Sequence, residues 1–436
     1  MKIVNYLVLF VSTFMLSACV GTQEAPKPAL DANHTVKDNQ KVFEEEDRYI
    51  LFALRAEQIG EYDASSSIFN TLYKKSNKKE YFYRSLQNDL SAKKNQQIID
   101  RVDAYEKPLE DPFLMRIKII ALVEVQKLPE AEQLALRLAQ KTKTADDHIL
   151  VAKIQLKEGK TQEAIAYLEN VYNDDYNEKI IDEISVITFV NLGKPKEAIA
   201  KLETHASVHG HSKPITLRLI RYYSTLNDID GLLESYLKLY QIDKSEQVSQ
   251  KIIQIYTYKK EKLQLINFLE NSRSDDNTLL QLYVSERNYA KAYKLSDELY
   301  AKSGEIHYLG QSAIYEYESN IKKDEKVTLK SVISKFEEVV AVNDDTLYLN
   351  YYGYLLIDHK LDIKKGMEYV EKALKVSPES AYYLDSLAWG YYRLGECKKA
   401  REIIEKVLTL EGGDDKEVLL HQKAINKCKT RRKGKK

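Results

Sequence analysis

The sequence predicts an all-α chain: a right-handed α-solenoid of about eleven helical hairpins, closed by a C-terminal capping helix. Three observations predict it. Gly and Pro number only 15 and 8 among 436 residues, too few for the turns of a sandwich, a barrel or a glycine-loop nucleotide fold. Apolar residues recur at the 3/4 spacing of helices that bury one face. One position recurs as well, at Ser65, Ile98, Ala131, Ala164, Ala198, Leu232, Leu265, Ala292, Val332, Gly366 and Ala400. Its steps are 33 or 34 residues, except for 27 before Ala292 and 40 after it. Such a period means that each hairpin shares its apolar face with its neighbours.

The chain opens with a segment to be set apart from the fold. Met1-Lys2 is a short basic start, Ile3 to Leu16 is an apolar run, and Leu16-Ser17-Ala18-Cys19 follows, which resembles a bacterial lipobox. The resemblance implies a signal peptide over 1–18, cut before Cys19, and lipidation of Cys19 (a palmitate-type anchor). No other stretch holds the ~18 apolar residues needed to span a bilayer. Val20 stands where an inner-membrane retention Asp occurs in some bacteria, so the expected place is the outer membrane, facing the periplasm. Residues 19–45 read as the lipidated Cys and a linker with Pro26 and Pro28. Asp31-Ala32-Asn33-His34-Thr35 within it matches a bacterial N-glycosylation acceptor, with Asn33 as the modified residue.

The repeat array is expected over 46–412. GEYDASSSIFNTL (60–72), QKLPEAEQLAL (126–136), GKTQEAIAYLENV (159–171) and GKPKEAIAKLE (193–203) each join a turn to the start of a second helix. The 27 and 40 steps mark an irregular region near 270–325. Ile98, Leu232, Leu265 and Val332 are not small, so their hairpins should pack more loosely or at altered angles. The last units are the clearest. In 349–378 Gly353 and Gly366 take the small positions of the two helices. In 381–412 Leu384, Leu387, Ala388 and Tyr391 share a face, and Ala400, Ile404 and Val407 make the next.

Residues 413–436 read as a capping helix, with Val418, Leu419 and Ile425 inward, followed by a basic tail. If this helix stacks as the first helix of a next hairpin, its end reaches the edge that carries Cys397. An oxidising compartment then permits a Cys397–Cys428 disulfide; two buried thiols are the other reading.

Lys+Arg and Asp+Glu are 66 each, which disfavours nucleic-acid binding by bulk charge. HExxH, GxSxG and GxxxxGK[ST] do not occur. His205, His209 and His211 form one cluster without a nearby Cys, and Ser91-Ala92-Lys93-Lys94 fits SxxK without companion motifs. No catalytic, cofactor or metal site is expected, and the chain reads as a non-enzyme.

These residue types and offsets match the tetratricopeptide pattern. With Leu16–Cys19, and with LNYYGYLLIDHK (349–360) and YYLDSLAWGYYRLG (382–395), the chain resembles tetratricopeptide-repeat lipoproteins of Gram-negative bacteria. Some of these scaffold a periplasmic carboxy-terminal processing protease and its cell-wall hydrolase substrates. The resemblance implies a lipid-anchored scaffold for periplasmic or envelope proteins, or a structural part of an envelope machine. In such arrays the first helices line a concave binding face. The expected binding side chains are Asn350, Tyr354 and Asp358, then Tyr382, Asp385, Trp389, Tyr392 and Arg393, all exposed there. Asp385 and Trp389 stand where a carboxylate-clamping member has Lys and Asn, so peptide C-terminus capture is disfavoured. The other reading of the tyrosines is that they fill gaps between repeats.

Overall fold

The computed structural model describes residues 41–320 and 326–428. Cys19, Asn33, the leader, the linker up to residue 40 and the tail after Cys428 lie outside them. The chain divides into two units, at residues 1–243 and 244–436. All regular structure among the described residues is helical.

Among the described residues the first unit holds six hairpins. They are α1 (Glu46–Gln58) with α2 (Tyr62–Ser76), α3 (Lys79–Ser91) with α4 (Asn95–Asp103), and α5 (Pro112–Glu124) with α6 (Leu128–Thr142). Then come α7 (Ala145–Lys157) with α8 (Thr161–Asp175), α9 (Glu178–Val186) with α10 (Pro195–His209), and α11 (Lys213–Thr225) with α12 (Ile229–Ile242). The second unit pairs α13 (Glu246–Lys259) with α14 (Lys262–Ser272), α15 (Asp276–Ser285) with α16 (Tyr289–Ser303), and α17 (Ile306–Ser319) with α18 (Lys326–Val342). It ends with α19 (Thr346–Asp358) and α20 (Ile363–Val376), α21 (Ala381–Leu394) and α22 (Cys397–Val407), and the solitary α23 (Lys416–Asn426). Odd-numbered helices up to α21 are the A helices of their hairpins, even-numbered ones the B helices.

The recurring marker falls in every B helix. Ser65, Ile98, Ala131, Ala164, Ala198, Ala292, Val332 and Ala400 are fully buried there, and Leu265 nearly so, whereas Leu232 is half-buried. The closest approach is between α19 and α20. A Cβ on Gly353 would sit 2.6 Å from the Gly366 carbonyl oxygen, and one on Gly366 equally close to that of Gly353. The two backbones touch because neither helix has a side chain there.

The irregular steps have local causes. α14 and α15 are short, at 11 and 10 residues, which removes residues between Leu265 and Ala292. Residues 320–325 separate α17 from the 17-residue α18, which adds them after Ala292. α9 carries an extra residue in a π turn, Ile187–Asn191. Its hairpin therefore closes with Lys194 N–H on the Thr188 carbonyl, six residues back. The α5–α6 and α7–α8 hairpins close over five, Lys127 on Leu122 and Lys160 on Gln155. α4 stops after nine residues; beyond it Lys107 is left-handed, at φ 55°, and Pro108, which has no N–H to donate, opens a 3-10 turn over Pro108–Glu110. The segment after α4 lines a cleft of about 940 Å³ together with Phe82, Arg101 and Tyr105.

Tyrosines join one repeat to the next. The ring fills the gap, and the hydroxyl reaches a polar group about one period away. Tyr81 donates to Glu46 (2.6 Å), Tyr308 to Asn277 (2.8 Å), Tyr348 to the His307 carbonyl (3.0 Å) and Tyr383 to Thr346 (3.1 Å). Tyr172 pairs with His205 at 2.8 Å. The gap-filling reading holds for these five residues.

Candidate interaction face of the A helices

Consecutive A helices are cross-braced by charge. In the first unit Arg84 of α3 forks onto Glu57 of α1. Arg116 of α5 forks onto Asp147 of α7 (2.8 and 2.7 Å), and Arg218 of α11 onto Asp182 of α9 (2.7 Å twice). Burial alone would raise the Asp147 carboxyl. Arg116, Thr142 and Thr144 outweigh it and hold the group below its ordinary range. Glu57 is lowered in the same way, its burial outweighed by Arg84 and Asn88. These pairs are partly exposed, so each adds only ~0.2–1 kcal/mol. Their larger effect is to fix long side chains before anything binds.

In the second unit three stripes of side chains, spaced by four residues, face one another. α19 supplies Asn350, Tyr354 and Asp358, α21 supplies Asp385, Trp389 and Arg393, and α23 supplies Glu417 and His421. The Trp389 indole N–H donates to Asp358 Oδ1 (2.9 Å), and Arg393 donates to the same oxygen (2.6 Å) and to the Asp358 carbonyl (2.9 Å). Burial pushes the Asp358 carboxyl up, but these donors and the guanidinium charge bring it below the usual carboxylate range. The Arg393 guanidinium lies over the indole at 4.7 Å. The Trp389 indole is stacked by the His421 ring at 4.0 Å and by the Tyr392 ring at 4.7 Å. His421 Nδ1 pairs with Asp385 Oδ2 (2.8 Å), and the Tyr354 hydroxyl donates to Glu417. Burial first, and then the Glu417 carboxylate, raise the Tyr354 phenol well above its normal range.

The structure thus brings Tyr354, Asp358, Asp385, Trp389, Tyr392 and Arg393 together, but not on an open surface. Trp389 is 9% and Asp385 6% exposed, and Trp389 belongs to the core with Ile357, Met367 and Val370. The expectation of exposure fails for these two because α23 lies over them. Asn350 is half-buried, and its Oδ1 has no hydrogen-bond partner among the described residues. Tyr382 stands apart, 57% exposed, near Gly412. Sequence reasoning missed Glu417 and His421; the signal was a Glu and a His four residues apart on the cap. It also missed the charge ladder, whose members lie 27 to 36 residues apart.

α23 stacks on α21 and α22 as the A helix of a next hairpin would. It buries Val418, His421 and Ile425, while Leu419, expected inside, is at the surface. Cys397, at the start of α22, and Cys428, just past α23, form a disulfide with Cα atoms 5.7 Å apart. Arg401 also donates to the Cys428 carbonyl.

No family model matches the chain. Over 317 residues, 70% of its length, it is 24% identical to a TPR repeat-containing protein of Methanocaldococcus jannaschii. It spans about half the length of that curated relative, 52%. Among solved structures it is similar to a chain of the APC/C hetero-tetramer Cut9–Hcn1, at 9% identity and TM-score 0.42, covering 88% of this chain and 97% of that one. It is also similar to a tetratricopeptide repeat protein from Parabacteroides merdae, at 14% identity and TM-score 0.28, covering 64% and 98%. Hairpin architecture and sequence likeness together support a tetratricopeptide-repeat protein.

Proposed function

We propose that the chain is a protein-interaction scaffold of the bacterial cell envelope, anchored by acyl chains on Cys19 and facing the periplasm from the outer membrane. Its partner is an envelope protein, such as a protease or a cell-wall hydrolase, held against the hairpin faces. The observation that supports this reading best is the charge ladder. It presets a polar face over successive A helices, so little side-chain entropy remains to be lost on binding. The ladder of the first unit is the binding face. In the second unit α23 already occupies Tyr354, Asp385 and Trp389 of the last two A helices.

Capture from detergent extracts by the full chain, compared with Arg116→Ala/Arg218→Ala, tests the scaffold reading. The expected result is one envelope enzyme recovered by the wild type and depleted with the variant, whose circular dichroism is unchanged. Recovery of a stoichiometric multi-protein membrane complex would instead make the chain a structural part of an envelope machine. Fractionation tests the anchor separately: Cys19→Ser should move the protein from membranes to the soluble fraction.

A further inference from the structure

Solenoid ends need a polar outer face. In the second unit α23 supplies the end of the stack. The start of the first unit is different. α7 and α9 are each covered by the B helix before them, α6 and α8, but no described helix precedes α1. α1 buries Glu46, Ala53 and Ala56 and leaves Leu51, Phe52 and Leu54 exposed by 66, 59 and 45%, with Ile59, just after it, exposed by 57%. Val42, just before it, is 51% exposed. Arg48 and Arg55 lie on the same outward side, and Asp47 is paired with Lys41 at 3.4 Å.

We propose that this outward face of α1 docks on the lipid bilayer, seating the first hairpin in the headgroup region. The inference rests on acylation of Cys19, the anchor of the proposed function, and deepens it. Residues 20–40 separate Cys19 from Lys41, and a chain of that length spans at most ~75 Å even when fully extended. α1 is therefore the first described element of the array after the anchor along the chain. Large apolar side chains flanked by basic ones bind a headgroup interface by themselves, and the tether adds to that binding by raising the local concentration of lipid. Arg48 and Arg55 bracket Leu51 and Phe52 along the helix; Arg55 donates to Gln58 (2.7 Å) on the same side, and both guanidinium groups are to reach lipid phosphates once the apolar side chains enter the headgroup region.

The test is flotation of the mature chain, residues 19–436, carrying Cys19→Ser so that no acyl group contributes. Vesicles of phosphatidylethanolamine and phosphatidylglycerol are the probe. The unacylated protein should float with the vesicles. Leu51→Asp/Phe52→Asp should lower its partitioning by roughly tenfold or more. Val376→Asp, at a residue of α20 that is 71% exposed, should leave partitioning unchanged. Failure of the unacylated protein to float, or equal flotation of the α1 variant, overturns the proposal. So does a lower melting temperature of the α1 variant, since the face would then be covered by the chain itself. Each of these outcomes is independent of whether Cys19→Ser solubilises the protein in cells, which tests the anchor alone.

Discussion

Trp389 is held by an aspartate at its N–H, an imidazole on one face and a guanidinium close by. Removing the ring should therefore act on stability. Trp389→Ala is expected to cost ~3–5 kcal/mol, as large-to-small changes of buried aromatic residues do. Tyr382→Ala, at an exposed ring, should stay within ~0.5 kcal/mol. Chemical denaturation of the two variants checks this. Helical spacing correctly put Trp389 on the A-helix face, but it could not show that His421, 32 residues on, closes over it. Glu46 carries a second prediction at this scale. Burial would raise its carboxyl, but Lys78, Tyr81 and the Val42 N–H bind it and lower it from 4.5 to about 2. A depressed folded pKa gives stability that is complete above the unfolded value and lost as pH falls towards the folded one. The first hairpins should thus weaken between pH ~4.5 and ~2, and Glu46→Gln should flatten that part of the stability–pH curve.

Helices and their pairings were the most legible level, because the 3/4 spacing and the marker position depend on contacts within one period. The end of the array was legible for the same reason: a cap that stacks as a next A helix brings its far end to the edge where Cys397 lies. The abbreviated α4 was not read, although Pro108 was in plain view; a regular 33-residue step across it hid the break. The disulfide gives the prediction for this level. Its cysteines are 31 residues apart, and closing such a loop is worth ~3–4 kcal/mol in the chain-entropy account. Reduction, or Cys428→Ser, should speed amide hydrogen exchange across 416–426 and bare the Trp389 indole. With one Trp in the sequence, its emission should shift to the red. Exchange across 46–142 should not change, because repeats interact mainly with their neighbours.

Across the molecule, the periodic marker told how many hairpins the chain holds, and the two aberrant steps told where their lengths change. It could not tell which surfaces stay open, because covering is decided between helices far apart in sequence. Nor could it place the irregularity of α9, since the step from Ala164 to Ala198 is one of the ordinary 34s. That π turn has a consequence for tolerance to insertion and deletion. It takes up one residue locally, so the helices on either side keep their faces. Excising Val190, a 69% exposed residue of the turn, should restore a regular helix and leave the melting temperature nearly intact. The same excision inside α7 would turn every later side chain of that helix by ~100° and should melt the hairpin. The bulge is a splice point, where the polypeptide can gain or lose one link without misaligning the rest.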